Sequence, residues 1–229
     1  MSPELARILS KRGSRSLTIA IESGSERMRE VVNKKLTTEA IHAAARHAKE
    51  GGLTGLKLYG MAGLPTETDD DIEATAELLL ALKRDTKGLR FTLGVSTFVP
   101  KAQTPFQWQG VRPEAEKRLK PKGIEFRPES YGLSVIQALL SRSDRRLAPV
   151  IAAVGDSRES MGGWKKTYRA ALNGELEPMP GPAQPLPPSW ADVVHDPWDT
   201  ERILPWTHLR GPLSPQKLQE HHDQALAVG

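Results

Sequence analysis

A chain of 229 residues is long enough to bury one sizeable core or to form one domain with an extension. It contains no apolar run of the ~18 residues a membrane helix needs and no apolar stretch behind a basic start, so neither a span nor secretion is indicated and the cytoplasm is the expected location. The net charge of +4, from 32 basic and 28 acidic side chains, permits contact with a polyanion such as RNA without requiring it, while 0 cysteines exclude disulfides, a cysteine nucleophile, thiolate zinc sites and thiolate-held iron–sulfur clusters within this chain.

Residues Met1 to Arg12 predict a short amphipathic helix with Leu5, Ile8 and Leu9 on one side, ended by Gly13. Leu17 to Ile21 is a short β-branched strand that stops at Glu22-Ser23-Gly24-Ser25-Glu26, where Ser23 and Glu26 have the spacing of a capping box ahead of Met28, Val31 and Val32. From Thr37 or Thr38 a helix carries Ile41, Ala44, Ala45 and Ala48 at helical spacing, and Gly51-Gly52 ends it. The apolar run Leu56 to Met61 then meets a Gly63-Leu64-Pro65 turn and a helix start with Thr68 as N-cap and Asp71 as its capping-box partner. A helix over Ile72 to Leu82 with inward Leu78, Leu79 and Leu82 leads to a third strand, in which Phe91, Leu93 and Val95 alternate with Thr92, Gly94 and Ser96. Strand and helix alternating in this way predict three βα units, a parallel sheet with right-handed crossovers and three loops on one rim.

The second half changes character. Glu114 to Lys120 predicts a charged helix, Lys122 to Pro128 a short strand, and Tyr131 to Leu140 a helix with Leu133, Ile136 and Leu140 inward. Arg142, Arg145 and Arg146 form a basic cluster that Asp144 would pair locally or that a phosphate backbone would contact. Two further helices follow over Leu147 to Val154 and Trp164 to Leu172. Six prolines between Glu175 and Ser189 predict an extended linker, after which Trp190, Trp198 and Trp206 predict a tail that packs back on a domain. A last helix runs from Pro215 to Leu226. The expected organisation is thus a half barrel over residues 1–110, a mostly helical extension over 111–174, a linker over 175–189 and a tail over 190–229.

Glu22, Glu26 and Glu67 all fall at carboxyl ends of strands, where a parallel sheet displays its functional groups. Glu26 has a local explanation in a cap; Glu22 and Glu67 have none and could bond a ribose or an amine. The six histidines show no metal-ligand spacing, and His195 lacks the flanking pattern of a cobalamin ligand. Lys101 lies at the mouth of the third strand as a candidate ligand contact.

Several stretches together resemble the second half of a radical S-adenosylmethionine core: Ile21-Glu-Ser-Gly-Ser-Glu-Arg-Met-Arg29, Asn33-Lys34, Lys57-Leu-Tyr with Gly63-Leu-Pro-Thr-Glu-Thr68, and Val95-Ser-Thr-Phe-Val-Pro-Lys101 with Thr104-Pro-Phe-Gln-Trp108. Ser141-Arg-Ser-Asp-Arg-Arg-Leu147 and Leu204-Pro-Trp-Thr-His-Leu-Arg-Gly-Pro212 are similar to the C-terminal region of the branch that carries a cobalamin-binding-type N-terminal domain, with Ser143 in place of an expected glycine. The resemblance implies a partial (β/α) barrel whose fourth to sixth strands are the three above. It implies that Glu22, Ser23 and Gly24 lie near the ribose and methionine moieties of S-adenosylmethionine, Gly63, Leu64, Pro65 and Glu67 on the nucleoside side, and Phe98, Val99 and Pro100 near adenine through their backbone.

In that family a Cys-x-x-x-Cys-x-x-Cys loop after the first strand holds a [4Fe–4S] cluster, which this cysteine-free chain does not ligate. Cobalamin, where used, would belong to an N-terminal domain. The expected reading is therefore the C-terminal part of a radical enzyme, inactive by itself, with an unpaired edge and an uncovered apolar face on the Leu17–Ile21 strand. Its alternatives are an inactive remnant, a subunit completed by a separate cysteine-bearing chain, and a basic RNA-contacting module using Arg142, Arg145 and Arg146.

Overall fold

The structure, a computed structural model, describes residues 2–113, 124–155, 160–177 and 189–228. The charged helix expected over Glu114–Lys120 and most of the proline-rich segment lie outside the described residues. Strands β1 (Ser16–Glu22), β2 (Gly55–Ala62), β3 (Arg90–Thr97) and β4 (Glu125–Pro128) form one parallel sheet in the order β1-β2-β3-β4. This α/β arrangement is consistent with a partial β/α barrel followed by a helical extension. The sequence reading anticipated three strands in the sheet; β4 adds a fourth, its Glu125 and Phe126 paired with Thr92 and Leu93.

Contacts divide the chain into two units, one built on Met1–Thr97 with Glu114–Glu129, the other on Phe98–Pro113 and Ser130–Asp223. The division falls at the end of β3. In the first unit helices α1 (Pro3–Lys11), α2 (Glu26–Val31), α3 (Thr38–Glu50) and α4 (Asp69–Asp85) alternate with the strands. The core joins Ile21, Leu56, Leu58, Phe91, Leu93 and Val95 of the strands to Ile41, Ala45, Ala48, Leu78, Leu79 and Leu82 of the helices. Small alanines on α3 let helices approach: Gly51 at its end lies so close to Ala6 that a Cβ would strike the α1 backbone. Ala6 is thus the buried residue of α1, while of the three apolar residues read on one side Leu9 packs on the core and Leu5 and Ile8 are 48% and 57% exposed.

The second unit contains α5 (Tyr131–Arg142), a 3-10 turn (Arg145–Leu147), α6 (Ala148–Val154), α7 (Met161–Leu172), α8 (Trp190–Val194) and the start of α9 (Pro215–Val228). Helix α5 is rotated from the predicted face. Ile136 is buried as expected, but Leu133 and Leu140 are exposed, and the inward stripe is Val135, Ala138, Leu139 and Arg142. A charged residue ends that stripe, which is why apolar spacing alone pointed elsewhere. Trp190 packs edge-on against Tyr168, and Trp198 and Trp206 enter a cluster with Trp108, Leu204 and Leu218. The segment after Trp108 is tied to the end of α8: Val111 N donates to Val194 O at 2.8 Å, and Gly110 approaches His195 closely enough that a Cβ would collide with its carbonyl. Among the described residues no helix is long and apolar enough to cross a membrane.

Candidate functional site

The carboxyl ends of β1 and β2 carry two loops that are locked to each other and to the first turns of α4. β1 ends in a register irregularity between Ala20 and Glu22, and Glu22 adopts a left-handed φ of 63°. That twist brings its carbonyl against Gly60, where a Cβ would sit 2.9 Å from the oxygen. The Glu22 carboxylate pairs with Lys34 Nζ at 3.0 Å.

Ser23 and Gly24 then press onto α4. Gly24 N donates to Thr75 Oγ1 at 2.9 Å, and a Cβ on Gly24 would run into the Thr75 backbone, so glycine is required here by contact. Ser23 is 3% exposed and its Oγ accepts from Ser25 N at 3.2 Å. Ser25, not Ser23, is therefore the N-cap of α2, with its Oγ taking Met28 N at 3.3 Å. The predicted Ser23–Glu26 box fails because Ser23 is engaged in the preceding turn. Glu26 caps α3 instead, accepting from Thr38 N at 3.0 Å.

Two side chains, Asp71, read only as a capping-box partner, and Arg29, read without a role, organise the rim. Asp71 closes the predicted box with Thr68 N and Oγ1, both at 2.8 Å, accepts Ser25 Oγ at 2.6 Å, and forms a fork with Arg27. Burial pushes its pKa up, but the hydrogen bonds from Arg27, Ser25 and Thr68 outweigh burial and hold the carboxyl well below the usual carboxylate range. Arg29 is 1% exposed and knits the β1 loop from beneath, with Nη1 donating to Ser23 O and Gly24 O at 2.8 and 2.9 Å and Nε to Leu36 O at 2.7 Å. Burial lowers its pKa, opposed by Glu26, and the group stays cationic. The only sequence signal for Arg29 was its place inside the Ile21–Arg29 stretch.

After β2, Gly63 (φ 80°) and Thr66 (φ 66°) supply left-handed turns, and Leu64 and Pro65 are buried. Glu67 is 7% exposed and its Oε2 accepts from Gly63 N at 2.7 Å, so the carboxylate that lacked a local explanation closes its own loop. A narrow cleft lined by Glu22, Ser23, Gly60, Ala62, Glu67 and Thr75 holds about 20 Å³, room for a water rather than a nucleoside. Most of the predicted rim side chains are consequently spent on one another, and this rim offers a ligand main chain together with the half-buried Glu22.

Phe98, Val99 and Pro100 belong to the second unit. Phe98 packs edge-on against Phe106 with ring centres 5.9 Å apart, Val99 packs on the cluster around Val135 and Val150, and Pro100 is buried. Their side chains are likewise occupied, and only main chain is left to meet a ligand. Lys101 beside them has its pKa lowered by burial. His195 Nδ1 lies 2.8 Å from Val111 O, and among the described residues no three His, Asp or Glu side chains form a metal-binding group.

A relative, an uncharacterized protein of Methanocaldococcus jannaschii, is 34% identical over 155 residues, which cover 65% of this chain and 34% of the relative. The chain thus spans about a third of the length of the curated relative it matches. The family model of the Radical SAM superfamily matches residues 1–79, so β1, α2, α3, β2 and the start of α4, with both interlocked loops, are similar to a Radical SAM superfamily domain.

Proposed function

We propose that this chain is the C-terminal part of a radical SAM iron–sulfur enzyme, supplying strand ends that bind S-adenosylmethionine. The observation that carries the reading is the coincidence of the Radical SAM match over residues 1–79 with a parallel sheet in which β1 has β2 as its sole neighbour among the described residues. A barrel strand needs a partner on each side, so the free edge of β1 is where further strands would continue. In this reading Glu22 and the main chain of Ser23, Gly24 and Gly63 to Glu67 face the cofactor, and Phe98 to Pro100 contribute main chain.

The donor set of this chain does not fit the [4Fe–4S] cluster, since 0 cysteines leave no thiolate for iron. The cluster, and cobalamin if used, would be held by residues outside this chain, and no chemical step is assigned to the chain alone. Of the three arginines considered for RNA, Arg142 is 1% exposed and Arg146 pairs with Asp144 at 2.9 Å, which leaves Arg145 exposed. That favours the enzyme reading over the RNA-contacting one.

Anaerobic reconstitution with iron and sulfide of a protein that joins this chain to the cysteine-bearing segment of a relative tests the reading. Reductive release of 5′-deoxyadenosine that falls when Glu22→Ala is introduced is expected. Full release from the cysteine-bearing segment without this chain would overturn it.

A further inference from the structure

The second unit contains a cavity of about 580 Å³ walled by the end of α5, the 3-10 turn and the segment around Arg202 to His208. Four cationic or ionisable nitrogenous side chains, Arg142, Arg146, Arg202 and His208, line it against one carboxylate, Asp144. The local ion pairs do not use all of this charge. Asp144 holds Arg146 at 2.9 Å, and Asp192 holds Arg202 through two bonds of 2.8 and 2.9 Å.

Arg142 is different. It is 1% exposed, its Nη1 and Nη2 donate to the carbonyls of Val193 and Asp196 at 2.7 and 3.0 Å, and its Nε finds no acceptor. Among the described residues no carboxylate is in ion-pair contact with it. Its guanidinium lies 3.8 Å from the centre of the Trp198 ring, and that of Arg202 lies 4.3 Å from the same ring. Two like charges are thereby held about one indole, with Asp192 paired to the exposed Arg202 and no carboxylate paired to the buried Arg142. Burial, and next the charge of Arg202, lower the Arg142 pKa to about 10, with Asp192 and Asp196 opposing, so the group stays cationic near neutrality. Leu147, Leu204 and Pro205 add an apolar stretch to the wall, Ser143 and Thr207 add hydroxyls, and Ile203 stands 85% exposed beside them.

We infer that this cavity binds a small organic oxyanion, a phosphate ester or a carboxylate, with its charged group met by the arginines and its apolar body against Leu147, Leu204, Pro205 and Ile203. Guanidinium groups are the side chains suited to bidentate capture of either oxyanion, and the volume suits a ring-bearing small molecule. The site lies wholly in the second unit and is independent of the S-adenosylmethionine reading.

Calorimetric titration of the full chain in phosphate-free buffer with phenyl phosphate, benzoate and benzyl alcohol tests it. Saturable binding of one or both anions, displaced by pyrophosphate and absent for the neutral alcohol, is expected; the preferred anion distinguishes ester from carboxylate. Ile203→Asp, at an exposed position that leaves the fold intact, should weaken anion binding roughly tenfold, and Ile203→Lys should not weaken it. Arg202→Gln should weaken it by at least as much as Ile203→Asp. No saturable anion binding, equal binding of the alcohol, or an affinity untouched by Ile203→Asp would overturn the inference.

Discussion

Leu56 and Leu58 of β2 and Phe91, Leu93 and Val95 of β3 turn into the helices and are buried, whereas Lys57 and Tyr59 between them are exposed and Thr92 and Gly94 half-exposed. On the open side side chains meet in rows across the strands. Thr18, Lys57, Thr92 and Glu125 share one register, with Thr92 Oγ1 donating to Glu125 Oε2 at 3.0 Å, and Tyr59 lies over Gly94, whose missing Cβ makes room for the ring. The uncovered apolar face expected on β1 is absent, because Leu17, Ile19 and Ile21 pack on the helix side and Thr18 and Ala20 face outward. One side of this sheet is a folding core. The other carries a mixed set of polar, charged and aromatic side chains, among them Thr18, Lys57, Tyr59, Thr92 and Glu125.

Substitutions should separate the two sides by their cost. The largest loss is expected beneath the rim, where Arg29→Met strands the carbonyls of Ser23, Gly24 and Leu36 and should cost about 4 kcal/mol in chemical denaturation. Leu93→Ala, at a fully buried position of the helix side, should cost about 3 kcal/mol. Gly24→Ala forces its methyl into the Thr75 backbone and should cost about 2 kcal/mol.

Asp71→Asn adds a pH signature. Because the Asp71 carboxyl titrates below its unfolded value of about 3.9, its contribution is complete above that value and fades as pH falls through the lower folded one. The variant should therefore be less stable than the parent by about 1–2 kcal/mol at neutral pH, with the gap closing in acid, as urea midpoints from pH 7 down to 3 would record. The smallest effect belongs to the open side: Tyr59→Ala, at a residue 51% exposed, should change stability by about 0.5 kcal/mol. A cost of Tyr59→Ala equal to that of Leu93→Ala would erase the contrast.

Local signals carried much of the first unit. The alternation of Phe91, Leu93 and Val95, the alanine face of α3 and the Thr68–Asp71 box are short-range patterns, and each forms as read. The failures share a cause. Ser23 and Ser25 compete for one cap; Ser23 is held by its own turn and Thr75 while Ser25 is fixed by Asp71, both α4 residues more than 45 positions away in the chain. Arg29 and Arg142 are buried cations satisfied mainly by carbonyls from elsewhere, which no apolar periodicity marks. Glu67 read as a free functional carboxylate because its partner is a backbone N–H, and main-chain donors are invisible in a sequence. β4 forms within the short strand read over Lys122 to Pro128, but its four residues, Glu-Phe-Arg-Pro, are too few and too polar to announce the pairing with β3.

The account rests on β1 being an inner strand of a larger barrel, and reading the genomic DNA on the 5′ side of the Met1 codon tests that most directly. An in-frame continuation that encodes Cys-x-x-x-Cys-x-x-Cys is the predicted result, placing the cluster loop and the strands that would flank β1 in the same polypeptide. A frame interrupted by stop codons, with no such cassette in the neighbouring reading frames, would contradict it.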